Sequence, residues 1–400
     1  MSSQTNDFIR ISQPNLQESD FELVLKVLRS GMLVTGEVGK QVENYFTALL
    51  QSKQSVNKPS SLISNTTIYT SLVSSGTAAL HLALVSLNIG PGDLVFVPNY
   101  TFPATVNVVK LVGATPILVD VDPQSYVLTV ESLAKAFEDA EIADLGHPKA
   151  VIPVHEFGYP VNMEALMKFA KKHELFVIED AACAIGAQYN DTAVGTWGDV
   201  GCFSLHPRKI VTSGEGGIVV TRDAMLYHKI NRLKSHGIER NQQGQVHFVE
   251  PGFNYRLTDI QAALILPQLQ QLEQWIEKRR LLAQYYHENL EYLVKRGYLT
   301  LPTSDVGHSW QSYVVCLAPQ FSQVQVSQKL RKLGVETNCG ATVLSTIPYL
   351  QSALSPRIIK GAAHHTLLDH TLALPLCETY QESMIQRVSK CLDDTLSKFG

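Results

Sequence analysis

Lys209 is the residue of this chain whose position could support covalent chemistry. It follows a predicted strand that ends in FSLH, lies between two apolar stretches and precedes the glycine-rich turn SGEGG. A lysine in such surroundings can lose part of its preference for the charged form and become nucleophilic. A solvent-exposed lysine in a loop is the ordinary alternative for any single lysine.

Asp180 is a second candidate, because it directly follows the apolar strand segment FVIE and is itself followed by two alanines. A bare carboxylate in such a place is unfavourable unless a cation meets it. A helix cap at a strand–helix junction would explain the residue equally well.

The third candidate is the segment SSGT, in which Gly76 and Thr77 lead into the helical pattern AALHLALVSL. Backbone N–H groups and hydroxyls converge at the positive end of such a helix and favour an anion such as a phosphate. An ordinary N-cap is the alternative when this segment is taken alone.

The three candidates occur along the chain in the order SSGT, Asp180 and Lys209, and this order suits pyridoxal 5'-phosphate (PLP). The lysine would form a Schiff base with it, the aspartate would keep the pyridine nitrogen protonated, and the helix start would hold the phosphate. Two competing nucleotide sites are disfavoured, because neither GxGxxG after the first strand nor GxxxxGK[ST] occurs in the sequence.

The elements that must position these residues form an α/β alternation. Segments typical of buried strands recur and are separated mostly by helical patterns: DLVFVPN, TPILVDVD, KAVIPVH, LFVIED, DVGCFSLH and GGIVVT. Near-continuous apolar strands with helical crossovers predict a mostly parallel sheet between helices. Open sheets of this kind bind ligands at the carboxyl ends of their strands, where the candidates lie.

The chain of 400 residues is long enough for two domains. We predict a large cofactor-binding domain over residues 1–260, with an N-terminal arm and a polar surface insertion near 51–70. A long amphipathic helical run begins near Leu257, and residues 261–400 are predicted to hold this connecting helix and a smaller α+β domain.

The composition argues against several other classes. Hydrophobic residues make up 45% of the chain, which argues against a disordered protein. The formal net charge of −4 argues against nucleic-acid binding, which is typical of basic domains. No apolar stretch is long enough to cross a membrane, no secretory signal is visible, and the six cysteines lack metal-ligand spacing. We therefore expect a cytoplasmic protein that binds neither nucleic acid nor membranes and holds no metal.

Nearly the whole chain resembles the DegT/StrS family of PLP-dependent nucleotide-sugar aminotransferases, which have the aspartate aminotransferase fold. The resemblance is most specific in the blocks SSGTAALHLAL, VIEDAACAIGA, CFSLHPRKIVTSGEGGIVVT and FNYRLTDIQAA. It implies a homodimer that transfers an amino group from an amino acid, expected to be glutamate, to a nucleotide-linked keto sugar in amino-sugar biosynthesis.

The resemblance also implies roles for single residues. Lys209 matches the Schiff-base lysine and Asp180 the partner of the pyridine nitrogen. The other matching positions are Gly76, Thr77, Ala78 and Ser204 around the phosphate, Phe102 stacked on the ring, and Asn254 reaching the phosphate of the neighbouring subunit.

Two residues depart from the family pattern near the expected cofactor. Cys183 stands where the family usually has Gln or His close to the phenolic oxygen, and a thiol is a weak donor. Glu156 stands where a leucine is common. The proposed chemistry, in which Lys209 is both nucleophile and general acid–base, predicts a lysine pKa lowered towards neutrality.

Three alternatives remain at the level of sequence. A PLP- or PMP-dependent sugar dehydratase of the same fold would have a histidine in place of Lys209, and a non-catalytic PLP-binding regulator would not need the Schiff base. A relative acting on amino acids alone would need an arginine for an α-carboxylate, for which Arg331 and Arg357 are the candidates.

Overall fold

The computed structural model describes residues 8–54, 67–351, 367 and 369–398. Arg357 and the central part of the segment 51–70 lie outside these described residues. The helices are α1 (Glu18–Ser30), α2 (Glu37–Ser52), α3 (Gly76–Ser86), α4 (Ala104–Leu111), α5 (Val130–Ile142), α6 (Met163–Lys172), α7 (Ala224–Leu233), α8 (Asp259–Lys295), α9 (Gln323–Lys332), α10 (Pro348–Gln351) and α11 (Glu382–Leu396).

The strands are β1 (Tyr69–Val73), β2 (Asp93–Pro98), β3 (Tyr100–Thr101), β4 (Thr115–Val119), β5 (His147–Val151), β6 (Phe176–Asp180), β7 (Gln188–Tyr189), β8 (Thr192–Ala193), β9 (Val200–Ser204), β10 (Gly217–Thr221), β11 (Ile238–Arg240), β12 (Val246–Phe248), β13 (Leu299–Thr300), β14 (Tyr313–Leu317), β15 (Thr342–Val343) and β16 (Thr371–Leu374).

A seven-stranded sheet in the order β1-β10-β9-β6-β5-β2-β4 forms the centre of the fold. Strand β10 is antiparallel to both of its neighbours, and the pairs from β9 to β4 are parallel. Apolar clusters on the two faces of this sheet pack it against helices. The predicted fold class, a mostly parallel sheet between helices with a smaller α+β part, is confirmed.

The sheet brings two candidate residues to one edge. Strand β6 ends at Asp180 and β9 ends at Ser204, and these two strands are parallel neighbours. Because parallel strands share a carboxyl edge, both side chains lie where open α/β sheets place their ligands.

The segment near 51–70, predicted as a polar insertion, overlaps the end of helix α2 at one side and the start of strand β1 at the other. Helix α2 continues to Ser52, and β1 begins at Tyr69. The sequence YTSLV was not predicted as a strand, because two of its five residues are small and polar and it forms the edge of the sheet.

Helix α8 is the long helix expected from the sequence and contains 37 residues. A capping box of Thr258 and Gln261 begins it. Its second half packs with α9, α11 and the small sheet β13-β14-β16 around a separate apolar cluster. The domain boundary near residue 260 stays a prediction. In the described part of the chain, no helix is both long and apolar enough to cross a membrane.

Candidate active site

Asp180 lies buried at the end of β6, with 4% of its surface exposed. Its Oδ2 accepts a hydrogen bond from the Thr105 hydroxyl at 2.8 Å, and its Oδ1 accepts one from the Ala182 N–H at 3.1 Å. Burial raises the pKa of this carboxyl above its usual value, although both hydrogen bonds and Lys209 oppose the change. Thr105, which sequence reasoning missed, lies in the same TFPAT segment as Phe102.

Lys209 lies in the loop after β9, and its side chain reaches Cys183. Its Nζ donates to the Cys183 Sγ at 2.9 Å. Gln311 holds the loop on both sides of the lysine, since its side chain donates to the Arg208 carbonyl at 2.6 Å and accepts from the Ile210 N–H at 3.1 Å. Gln311, in the segment SWQSYVV, was missed as a site residue.

The expected lowering of the Lys209 pKa is not found. Burial does lower it, but Cys183, Glu156 and Asp180 together outweigh burial and raise the lysine pKa above its ordinary value. Burial likewise raises the pKa of the Cys183 thiol. The prediction was wrong because it considered the apolar sequence neighbours of the lysine and not the acidic groups that the fold brings to it.

The start of α3 lies against the end of β9, as a phosphate site requires. The N-cap Ser75 accepts a hydrogen bond from the Ala78 N–H at 3.0 Å. A Cβ on Gly76 would lie 2.9 Å from the Ser204 Cβ, so glycine is needed for this close approach. Thr77 occupies the first turn of the helix, whose N–H groups have no acceptor within the helix itself.

Phe102 and Asn254 are both exposed, whereas Asp180 is buried. Phe102 is 65% exposed. Its carbonyl accepts the Thr105 N–H at 3.2 Å, so the residue begins the turn that also positions Thr105, the hydrogen-bond partner of Asp180. Asn254 is exposed, and the carbonyl of the next residue, Tyr255, accepts the N–H of Ser74 at 2.9 Å. The roles of both residues stay predictions.

The arrangement fits PLP. A buried carboxyl with a raised pKa gains most from a cationic partner such as a protonated pyridine nitrogen. The lysine amine donates to the Cys183 Sγ, and its charge lowers the pKa of the Asp180 carboxyl. The glycine-dependent contact between α3 and Ser204 leaves backbone N–H groups and a hydroxyl for a phosphate. Asp180 would therefore hold the ring nitrogen, Lys209 the carbonyl carbon, and Gly76, Thr77 and Ser204 the phosphate.

Comparison with known proteins agrees with this geometry. The family model of the DegT/DnrJ/EryC1/StrS aminotransferase family matches residues 14–393. The chain belongs to this family. The predictions of a PLP-dependent sugar aminotransferase and of PLP as its cofactor are thereby confirmed.

Solved structures similar to this aminotransferase extend over almost its entire length. A DegT/DnrJ/EryC1/StrS aminotransferase from Brucella abortus is 28% identical, covers 94% of this chain and 95% of its own, and has a TM-score of 0.82. DesV from S. venezuelae, solved in complex with a ketimine intermediate, is 27% identical over 97% of this chain and 98% of its own, with a TM-score of 0.83. An aminotransferase from Psychrobacter cryohalolentis is 27% identical with the same coverage and TM-score.

Proposed function

We propose that this aminotransferase moves an amino group from an amino acid, glutamate, to a nucleotide-linked keto sugar. The observation that carries the nucleotide part of the proposal is an open cavity of about 540 Å³ that reaches the residue before Lys209. It is lined by Phe8, Arg10, Ile11, Ser12, Arg208 and Glu336. The two arginines and the aromatic residue in this lining suit a diphosphate joined to a base, whereas Glu336 already accepts the Ile11 N–H at 3.0 Å.

The residues of the site divide the reaction between them. When bound, PLP supplies a carbonyl that carries the amino group and a ring that withdraws electrons. The Lys209 Nζ, in its uncharged form, takes the proton from the α-carbon of the donor in the first half-reaction. In the second half-reaction it delivers a proton to the sugar carbon that receives the amino group. Asp180 keeps the ring nitrogen protonated, and Gln311 keeps the lysine loop in place.

A panel of keto sugars tests the substrate. The pyridoxamine form of the enzyme is prepared with glutamate, and the return of the PLP absorbance is followed with one keto sugar offered free, as its 1-phosphate and linked to a nucleotide diphosphate. We expect the nucleotide-linked form to react with the highest kcat/KM. Equal rates with the free sugar, or turnover only with keto acids, would contradict the nucleotide-linked substrate.

Arg10→Ala tests the cavity directly. Loss of one charge-assisted contact should raise the KM for the nucleotide-linked sugar by about tenfold, and by more than it raises the KM for glutamate. Arg296→Ala serves as the control, because this arginine lies after α8 and stacks on Tyr298. A larger effect on glutamate would assign the cavity to the donor instead.

The proposal includes a homodimer with shared active sites, in the cytoplasm. Helix α1 exposes Phe21, Leu25 and Leu28 to the extent of 45%, 48% and 48%. Spacings of four and three residues place them on one face of the helix, which suits a subunit interface. Asn254 is exposed in its own chain, as a residue that serves a neighbouring subunit would be.

Complementation tests the shared site. Inactive Lys209→Ala and Asn254→Ala subunits are mixed after mild unfolding and refolding. In a shared-site dimer, one site of each hybrid carries both defects and the other neither, so about a quarter to a half of wild-type activity should return per hybrid. Hybrids that form without recovering activity would place both residues in the same subunit's site.

A further inference from the structure

Lys209 and Cys183 bring an amine and a thiol into direct contact inside the cofactor site. The Lys209 Nζ lies 2.9 Å from the Cys183 Sγ. Both residues are half-buried, so the pair is shielded but open to a small molecule. The contact orients the lysine, and it also joins two kinds of side chain that act as nucleophiles in enzymes.

Two hydrogen-bonded turns hold the backbone on either side of this contact. On the cysteine side, the Ala184 N–H donates to the Ala181 carbonyl at 2.9 Å. On the lysine side, the Lys209 N–H donates to the His206 carbonyl at 2.8 Å. Each bond closes a four-residue turn, so the fold itself sets the approach of amine and thiol.

The separation of Nζ and Sγ suits a carbon atom bonded to both. Lysine amines form Schiff bases with carbonyl carbons. The N–H that Lys209 donates points at the Cys183 sulfur, so a carbon in place of this hydrogen lies between the two atoms. Reacting atoms held about 3 to 3.5 Å apart are already in position to bond, and this carbon meets that condition.

We propose that Lys209 and Cys183 form a two-point covalent site for an aldehyde, in which nitrogen and sulfur bond to the same carbon. In the first step a C=N bond forms, and the carbonyl oxygen leaves as water with two hydrogens of the amine. In the second step sulfur bonds to this carbon, and the electron pair of the double bond moves to nitrogen together with the thiol proton. Nothing is oxidised or reduced, and addition of water reverses the reaction.

The protonation of the two groups suits these steps. Burial raises the pKa of Cys183, although the charge of Lys209 opposes this, so the thiol keeps at neutral pH the proton that nitrogen later receives. Lys209 reacts in its uncharged form, as it does when it bonds to PLP. The site depends on cysteine at a position where the family resemblance leads one to expect Gln or His.

Two aldehydes can supply the carbon. PLP brings its carbonyl carbon to Lys209, and addition of the thiol there breaks the conjugation between that carbon and the ring. A small free aldehyde instead occupies the pair while the amine is free. Both adducts are blocked states, because the Lys209 nitrogen must be released before it moves a proton.

Formaldehyde tests the pair in the apoenzyme, without PLP or sugar. With isotopically labelled formaldehyde, carbon NMR of the wild type should show a carbon bonded to both nitrogen and sulfur. Lys209→Ala and Cys183→Ala should each lose this signal. Peptide mapping of the wild type should find the Lys209 and Cys183 peptides joined with a net gain of one carbon atom, which identifies both residues even where a variant does not fold.

Lys390 and Cys391 provide a control within the same sample. They are adjacent in the sequence of α11, and residues one position apart on a helix do not face each other. We expect no bridge between them. A bridge that forms there as readily as between Lys209 and Cys183 would show a reaction of any nearby pair and would overturn the proposal.

Absorbance of the loaded enzyme distinguishes the two sources of the carbon. Weaker visible absorbance per bound PLP in the wild type than in Cys183→Ala would assign the site to the cofactor carbonyl. Equal absorbance together with the formaldehyde bridge would assign it to small free aldehydes. A wild-type apoenzyme whose Lys209 reacts with formaldehyde without becoming joined to Cys183 would refute the two-point site and leave the substrate proposal intact.

Discussion

Glu179 and Asp180 are neighbours on β6 and are both buried, yet their surroundings differ. Because side chains alternate along a strand, they face opposite sides of the sheet. Glu179 accepts four hydrogen bonds, from His155 Nε2 at 3.0 Å and from the N–H groups of Gly195 at 2.7 Å, Trp197 at 2.7 Å and Gly198 at 2.8 Å. Within the described residues, Asp180 accepts two, from Thr105 and Ala182.

The difference in hydrogen bonding gives the two carboxyls opposite pKa shifts. Burial would raise the pKa of Glu179, but His155 and the backbone donors reverse this and lower it. The pKa of Asp180 remains raised, because its donors and Lys209 do not compensate for burial. Hydrogen bonds within the chain therefore suffice to stabilise the ionised form of Glu179, whereas ionised Asp180 still gains from an added cation.

Lys209→Ala should have the largest effect, because it removes the reactive amine from the Asp180 side of the sheet. We expect transamination to fall at least about a thousandfold, with loss of the bond to PLP that borohydride reduces. Lys110→Ala, an exposed lysine of α4, is the control and should keep both. A reducible bond that persists in Lys209→Ala would assign the covalent chemistry to another lysine.

Asp180→Asn should reduce turnover by about a hundredfold or more, because an uncharged partner does not keep the ring nitrogen protonated. PLP should still bind, so the loss should fall on kcat and not on KM. Steady-state kinetics with glutamate and the keto sugar that reacts best in the proposed panel measure this. Activity within threefold of wild type would mean that Asp180, like Glu179, serves the fold alone.

The contrast between these neighbours also shows how far the sequence could be interpreted. The strand FVIED and the position of Asp180 at its end were predictable, since apolar strands and their ends have local signatures. The partners were not, because Thr105 and the Gly195–Gly198 turn are distant in sequence and pair with β6 only through tertiary contacts. For the same reason the acidic groups around Lys209, and hence the raised pKa of the lysine, were not predictable from its neighbours in the chain.

Glu179→Gln should act on stability, unlike the two changes above. An amide has one acceptor oxygen, so its NH2 group would face two of the four donors that now bind the carboxylate. We expect the free energy of unfolding to fall by about 3 kcal/mol. Denaturant unfolding measures this. The activity of the folded fraction should remain close to wild type. Full stability together with a large loss of kcat would reverse the roles assigned to the two carboxyls.

The smallest expected effect has the opposite sign and concerns the apoenzyme of Asp180→Asn. The pKa of Asp180 is raised in the folded state, so its contribution to stability is present below the unfolded-state pKa and is lost as pH rises through the folded-state pKa. At pH 8 the apo wild type therefore holds an unfavourable buried charge that the variant lacks. We expect the apo variant to be more stable at pH 8, on the order of 1 kcal/mol. Thermal unfolding should show this gain shrinking as pH falls towards the raised pKa.

Added PLP should raise the Tm of the wild type more than that of the variant, since a ligand stabilises the state that binds it. A less stable apo variant at pH 8 would mean that the Asp180 charge is already satisfied within the chain, as that of Glu179 is.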